Sequence, residues 1–346
     1  MNRVLVLCLG LAFAPFARAN GADTSLPAPA LPSDDSWRLR ALVMSLENDK
    51  FFSGSDRHYT QGARITALYD AGATSWATEK ARKVLRVFSE KITGDEARLA
   101  VSFGQDMFTP EDILTPALIT NDRPYAAWAY LAASFHVIDT APAGEEGKRR
   151  QNSLIAEVSL GIVGPSAQGE LLQNGWHDII HVPRAQGWAN QLHDEPGLNF
   201  AFEWRRKFWH EGWIDVVPRA ALVLGNVHTH ASVGATFRIG PNLPDDFGHD
   251  LIRAASGNVA RPTGFSSYLF ASADTRIVGR NIFLDGNSWR HSHSVRKRPV
   301  VADLNLGFAL NWPRFRVIYT QNYRTKEFYG QPKRDVFGSV SLIRLF

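Results

Sequence analysis

Cysteine is nearly absent from this chain. Of 346 residues only Cys8 carries a thiol, and it lies inside the first apolar run. A disulfide framework and thiol chemistry are therefore excluded for the rest of the chain. A lipoprotein is excluded too, because Cys8 stands in mid-run and not at its end. A second long apolar run is also missing. The one present, VLVLCLGLAFAPFA, follows Met1-Asn2-Arg3 and precedes Ala17-Arg18-Ala19. That pattern reads as a secretory signal peptide over 1–19, and nothing later is long enough to span a bilayer as a helix. Charge of one sign is lacking: the formal net charge is +4. This is too mild to argue for nucleic acid, and no basic-aromatic motif supports such a partner. Linker composition is absent after Ser36, which closes the Pro/Ser/Asp-rich stretch LPAPALPSDDS. The expected division is a signal peptide at 1–19, a flexible periplasmic leader at 20–36 and a single body at 37–346. Finally, there is no GxSxG elbow, and Ser166 in GPSAQG has no adjacent partner, which weakens a serine-nucleophile reading.

What the chain does have is aromatics, ten Trp and twenty-one Phe, set in long period-two runs. In 300–312, Val300, Ala302, Leu304, Leu306, Phe308, Leu310 and Trp312 alternate with Val301, Asp303, Asn305, Gly307, Ala309 and Asn311. Residues 198–208 and 315–323 alternate in the same way. A soluble sandwich also has one apolar face, so alternation alone does not decide. Length does: these runs exceed the usual strand of about 5–6 residues. Long strands, apolar outside and polar inside, with aromatics near their ends, describe an all-β, closed antiparallel transmembrane barrel. The chain ends SVSLIRLF, so its last strand closes on aromatic Phe346. Strands are expected near 37–47, 58–70, 96–107, 124–138, 152–163, 197–209, 212–225, 228–240, 265–285, 299–312, 314–326 and 334–346. They number twelve, an even count as single-chain bacterial barrels require. Residues 74–92 have helical spacing and are expected to form a short solvated helix in the second connection.

With both termini periplasmic, odd-numbered connections face outward. The first holds Glu47-Asn48-Asp49 and Asp56-Arg57-His58-Tyr59-Thr60. The third holds Gln105-Asp106 and Asp122-Arg123-Pro124-Tyr125, and the fifth holds GIVGPSAQGELLQNGWHDII. The polar clusters thus gather at one rim, where loops on a rigid scaffold commonly carry function. Asn48 and Asp49 are hard oxygen donors, suited to Ca²⁺ more than to Zn²⁺. Thr60 lies on the polar face of its strand, so its hydroxyl is expected to point into the lumen. Gln173 and His177 are four apart in a segment with helical character from about 166 to 180, and an i,i+4 pair shares a face. A His beside a metal-capable rim suits a general base for water. Each group has a plainer reading as well: Asp and Asn at strand ends form turns, and a loop His is commonly a surface residue. The pairs His228/His230 and His291/His293 have no third ligand near in sequence for a metal.

Taken together, END…DRHYTQG, GQDMFTP, DRPYAAWAY, GIVGPSAQGE, QNGWH and EPGLN resemble the outer-membrane lipid A 3′-O-deacylase family, over most of the mature chain and most closely from Glu47 to Asn199. The resemblance implies a twelve-stranded barrel that removes the 3′-linked acyloxyacyl group of lipid A with the help of Ca²⁺. It implies site positions at Asn48, Asp49, Thr60, Gln173 and His177. In that scheme His177 activates water, Asn48 and Asp49 mark the calcium site, and Thr60 and Gln173 position substrate or oxyanion. Two departures from the family stand out. An acidic residue expected shortly after the His is replaced by Val182-Pro183. A Lys expected in the third connection is replaced by EDILTP, leaving Lys50, Arg57, Arg123 and Arg184 as candidate contacts for the lipid A phosphates. The expected partners are lipopolysaccharide and outer-membrane lipids, the expected state a monomer, and the expected site the outer-leaflet rim. Two other readings stand beside this one: an outer-membrane phospholipase, and a non-enzymatic porin or surface-binding barrel.

Overall fold

A computed structural model describes residues 37–49, 58–72, 96–140, 151–207, 209–210, 213–248 and 264–346, with isolated positions 75, 79, 83 and 262. The signal and leader segments lie outside the described residues. So does most of the expected helix at 74–92, in which Glu79 and Lys83 are helical. The strands are β1 (Trp37–Asn48), β2 (His58–Ala71), β3 (Glu96–Thr109), β4 (Ala126–Thr140), β5 (Gln151–Val163), β6 (Glu195–Lys207), β7 (Trp209–His210), β8 (Ile214–Gly225), β9 (His228–Ile239), β10 (Ser266–Asn281), β11 (Val300–Trp312), β12 (Phe315–Arg324) and β13 (Asp335–Leu345). All pair antiparallel with their neighbours, and β1 pairs with β13. β6 and the two-residue β7 are successive pieces of one stave, because both pair with β8. The sheet therefore closes as twelve staves. Closure satisfies the backbone groups of every strand within the ladder, the condition for a strand-built membrane span. Among the described residues no helix is long and apolar enough to cross a membrane.

The alternation read from sequence is the alternation of the two faces. On β11, Leu304, Leu306, Phe308 and Trp312 are exposed, while Asp303, Asn305 and Asn311 are buried. The outer wall continues through Leu131 and Leu160, which are 63% and 62% exposed. Large apolar side chains left that bare form the kind of band that lipid covers. One strand differs from expectation. β10 stops at Asn281, and Ile282–Asp285 form a helical turn, α2. The Asn281 side chain accepts from the Phe283 amide at 3.2 Å, and Asp285 accepts from the Asn281 amide at 2.8 Å. That capping turns the chain inward and stacks Phe283 on Phe108, with ring centroids 4.1 Å apart.

Register places the first, third and fifth connections at one end, the loop end, opposite residues 37 and 346. At the other end, segment 241–248 folds into the lumen. Leu243 packs there with Tyr268, Phe270, Ile318, Ile343 and Leu345, and Asp246 is wholly buried against Arg238 and Arg316 at 2.6 and 2.8 Å. At the loop end Phe108, Trp128, Tyr130, Leu192, Phe283 and Phe337 close the interior. Between these two plugs lies a polar cavity of about 110 Å³, lined by Glu157, Glu203, Arg219, Asp274, Asp303 and Arg324 among others.

Candidate active site

The fifth connection builds a helix on the outside of the barrel. Val163 ends β5, Gly164 turns with φ 112, a short 3-10 turn runs over Pro165–Ala167, and α1 spans Gly169–Ile180. Left-handed backbone at Gln168 (φ 58) and His181 (φ 56) brackets α1 and sets the sharp entry and exit of the chain. Sequence placed the helix start a few residues early, because Pro165 and the turn at Gln168 interrupt it. Ala167 packs in one cluster with Met107, Tyr125, Ala127, Ala185 and Trp188, and with Ala129 and Ile162 against it. On β3, β4 and β5 the residues Met107, Ala127, Ala129 and Ile162 share the outward face with Phe103, Leu131 and Leu160. α1 therefore rides on the outer wall, over β3 and β4. Gly169 permits the approach, since a Cβ there would run into Ala127 and Trp188.

On this helix the i,i+4 pair shares the buried face: Gln173 is 2% exposed and His177 3%. The opposite face is bare, with Leu171 65% exposed and Leu172 and Ile179 also open. Beyond α1 the chain doubles back. The Val182 amide donates to His177 O at 3.0 Å, Asn174 and Ala185 exchange two hydrogen bonds at 2.8 and 3.2 Å, and Arg184 grips Asp178 at 2.8 and 2.6 Å. The returning segment meets both side chains of the pair. His177 Nδ1 lies 2.6 Å from Pro183 O, and Trp188 Nε1 donates to Gln173 Oε1 at 2.7 Å. Gln173 Nε2 is buried and finds no acceptor among the described residues, an arrangement that costs about 1–3 kcal/mol. At Val182-Pro183, where an acidic side chain was expected, the ring of His177 meets a main-chain carbonyl. Arg184 holds the Asp178 carboxyl below the usual carboxylate range by hydrogen bonding to it on the exposed side of the segment.

Register brings part of the first connection to the same wall. Asn48 pairs with Gln61, Gln61 with Met107, and Met107 with Ala127, so all four lie in one row running toward α1. Three strand steps make about 14 Å. Asn48 follows Leu42, Met44 and Leu46 on the outward face of β1. Thr60 sits where the β2–β3 register skips a residue, between Tyr59↔Phe108 and Gln61↔Met107. A bulge there breaks the simple alternation from which a lumenal hydroxyl was expected. Asp49 is buried at the turn after β1. Among the described residues no group of three or more His, Cys, Asp or Glu is placed to hold a metal. Asn48 and Asp49 offer an amide and a carboxylate oxygen, the right kind of donor for Ca²⁺ but fewer than its usual six to eight. Further oxygens in the sequence belong to Ser53, Ser55 and Asp56, which, with Lys50 and Arg57, lie outside the described residues.

Arg123, a candidate phosphate contact, occupies a different place. Its guanidinium is wholly buried, 2.7 Å from Glu327, and lies over the rings of Phe108 and Phe328. It ties the third connection to segment 325–334 and is not offered to a ligand. Trp188, which touches Gln173, was missed by sequence reasoning. It stands in an aperiodic loop, and only the neighbouring Gly187, where a Cβ would strike the Tyr125 ring, hints at close packing there.

A family model described as outer membrane protein LpxR matches residues 5–346. Among solved structures, LpxR from Salmonella typhimurium superposes with a TM-score of 0.69 at 19% identity, covering 88% of this chain and 100% of that one. This likeness is one of fold. The beta domain of the Bordetella autotransporter BrkA matches with a TM-score of 0.45 at 10% identity, covering 89% of this chain and 99% of that one. The translocator domain of autotransporter NalP from Neisseria meningitidis gives 0.41 at 8% identity, covering 90% of each. No curated protein sequence matches.

Proposed function

The chain belongs to the LpxR family of outer membrane proteins, and from that premise we propose that it is a lipid A deacylase acting at the outer leaflet, which hydrolyses the ester of the 3′-linked acyl (acyloxyacyl) group. One observation supports the reading: the helix that bears Gln173 and His177 starts against the outward, lipid-facing side of the wall, with Ala167 and Gly169 on Met107 and Ala127. A lipid ester reaches that side by lateral diffusion, whereas a soluble solute would reach the lumen. The plugs at both ends of the interior speak against a porin.

In the proposed reaction a water molecule attacks the acyl carbonyl carbon. His177 Nε2 takes its proton, with the ring held through Nδ1 by Pro183 O. The Gln173 Nε2–H donates to the carbonyl oxygen as charge builds on it, the point at which a preplaced donor is worth most. Collapse breaks the bond to the sugar oxygen, which leaves with the proton from His177 as a free 3′-hydroxyl, and the fatty acid departs as carboxylate. Asn48 and Asp49 would hold Ca²⁺, which when bound supplies a fixed positive charge beside the ester. Thr60 positions substrate. Lys50 and Arg57 meet its phosphates, a role in which Arg123 is not included.

Lipid A mass spectra from cells with and without the protein test this. Loss of the 3′-linked acyl mass, absent with His177→Ala, is expected. Unchanged lipid A with release of lysophospholipid would make the protein a phospholipase instead.

A further inference from the structure

We propose that segment 181–190 is a positioning strap for the buried face of α1, in which the Trp188 indole sets the amide of Gln173 and the Pro183 carbonyl sets the tautomer of His177. The inference rests on the deacylase reading and adds to it two positioning groups, neither of which touches substrate.

The chemistry of the partners leaves little freedom. An indole nitrogen only donates, so the 2.7 Å contact must be accepted by Gln173 Oε1. Flipping the amide would set N–H against N–H. Gln173 Nε2 is thereby turned away from Trp188, buried and without an acceptor among the described residues. A carbonyl only accepts, so the proton of a neutral His177 belongs on Nδ1 and the lone pair on Nε2. Two side chains one helical turn apart are thus assigned opposite polarities, one N–H donor and one lone pair. Water attack on an ester needs this combination: a base for the proton and a donor for the oxygen that gains charge. Without the strap, the amide can invert and the imidazole can move its proton, and each change removes the needed polarity.

The strap and the residues just after it are also anchored to the third connection, and not only to α1. Gln186 N donates to Ile113 O at 2.8 Å and Leu192 N to Tyr125 O at 2.9 Å. The Trp188 ring lies 5.0 Å from that of Tyr125, and the Asn174–Ala185 exchange pins the strap to the helix. Trp188 therefore holds its place by contacts independent of Gln173, as a positioning group must.

The test is a double-variant cycle on the full-length protein in detergent micelles with purified lipid A and Ca²⁺. Trp188→Phe keeps a ring and removes the donor, and Gln173→Met keeps the length and removes the amide. Gln173→Met is expected to lower kcat by roughly 10²-fold, as for a lost oxyanion donor. Trp188→Phe is expected to lower it about tenfold with KM little changed. In the Gln173→Met background, Trp188→Phe should do nothing more, because the group it orients is gone. Multiplicative losses, or wild-type kcat in Trp188→Phe, would reduce Trp188 to packing and overturn the strap. If Trp188→Phe fails to fold, benzothienylalanine at 188, bicyclic but lacking the N–H, reads the same coupling. His177→Ala separates the two ideas. An inactive wild type or a fully active His177→Ala overturns the deacylase reading and the strap with it. Activity lost in His177→Ala together with multiplicative losses in the cycle overturns the strap alone.

Discussion

Inside the barrel, polar side chains are locked to one another. Arg238 donates to Asp215 and Asp246 and reaches the main chain of 244 and 246; Arg64 meets Glu157 at 2.6 Å, and Asp303 takes both Arg276 and Arg324. Under α1, outside the barrel, the polar pair is Gln173 and His177. The returning loop meets Gln173 at Oε1 and His177 at Nδ1, and Gln173 Nε2 has no acceptor among the described residues. Buried charges paired with one another are costly to separate for a ligand, whereas the Gln173 amide has a donor to give. The lumen is the larger polar region and the poorer candidate for chemistry. Its charges fill and stiffen a closed barrel, and the proposed reaction lies against an apolar strip outside it.

The sharpest way to break this contrast is at His177. His177→Ala should lower turnover by roughly 10²–10⁴, the usual worth of a general base, while the barrel still inserts, because an outer-wall helix adds little to strand pairing. His228→Ala, on the lumenal face, and His293→Ala, which contacts Asp122 O, should be nearly silent. Full activity in the His177 variant, or equal losses in all three, would erase the distinction between wall and lumen. Removal of the cation comes next. Excess chelator should stop deacylation without lowering the thermal stability of the barrel, and Asp49→Ala should raise the Ca²⁺ concentration needed by about tenfold or more. A chelator that unfolds the barrel would move the ion from the site to the structure.

The interior should answer to stability and not to kinetics. Arg238→Met removes the guanidinium that Asp215 and Asp246 share and leaves Asp246 only that of Arg316, at a cost of about 3–5 kcal/mol. Urea unfolding in detergent should show that loss while kcat of the folded fraction stays unchanged. Burial alone would raise the Asp246 carboxyl, but the charges of Arg316 and Arg238 hold it down to about 2. A carboxyl whose folded pKa is depressed adds stability that is complete above its unfolded value, near 4, and is lost as pH falls toward 2. Asp246→Asn should therefore be destabilised relative to wild type at pH 6, with the gap closing between about pH 4 and 2. A gap that widens on acidification would reverse the sign and remove the ion pair from the account.

How much of this was legible follows from which interactions are periodic. Strands 300–312 and 228–239 were readable nearly to the residue, because lipid outside and charge inside write themselves into alternate positions. The i,i+4 spacing of Gln173 and His177 likewise announced a shared face. The side of the barrel on which that helix lies was not legible. It depends on Gly169 and Ala127 being small at one contact, and neither belongs to a pattern. Arg123 looked like a rim cation beside Pro124, and nothing in the sequence names Glu327 as its partner across 204 residues. The Pro183 carbonyl was hidden although it stands only six residues after His177, since main-chain acceptors carry no residue signature. The register skip at Thr60 was not legible either, since a bulge leaves no mark in the alternation around it.

The smallest effect belongs to the Arg184–Asp178 ion pair between the strap and α1. Arg184 and Asp178 make a bidentate contact as close as those inside the barrel, yet both are exposed to solvent. Water screens such a pair and salt weakens it further. The strap also keeps the Asn174–Ala185 exchange and the Val182–His177 backbone bond when the pair is removed. Arg184→Ala should accordingly change kcat by less than about threefold, and wild-type activity should be only weakly dependent on ionic strength for this reason. Arg238 is the buried counterpart, a guanidinium shared by Asp215 and Asp246 in the lumen, whereas Arg184 meets Asp178 alone and in water. A loss in Arg184→Ala approaching that of Gln173→Met would make the exposed pair the main anchor of the strap. The Asn174 and Val182 contacts would then be too weak to hold Pro183 O against His177, and Arg184, not the main chain, would decide the orientation of the ring.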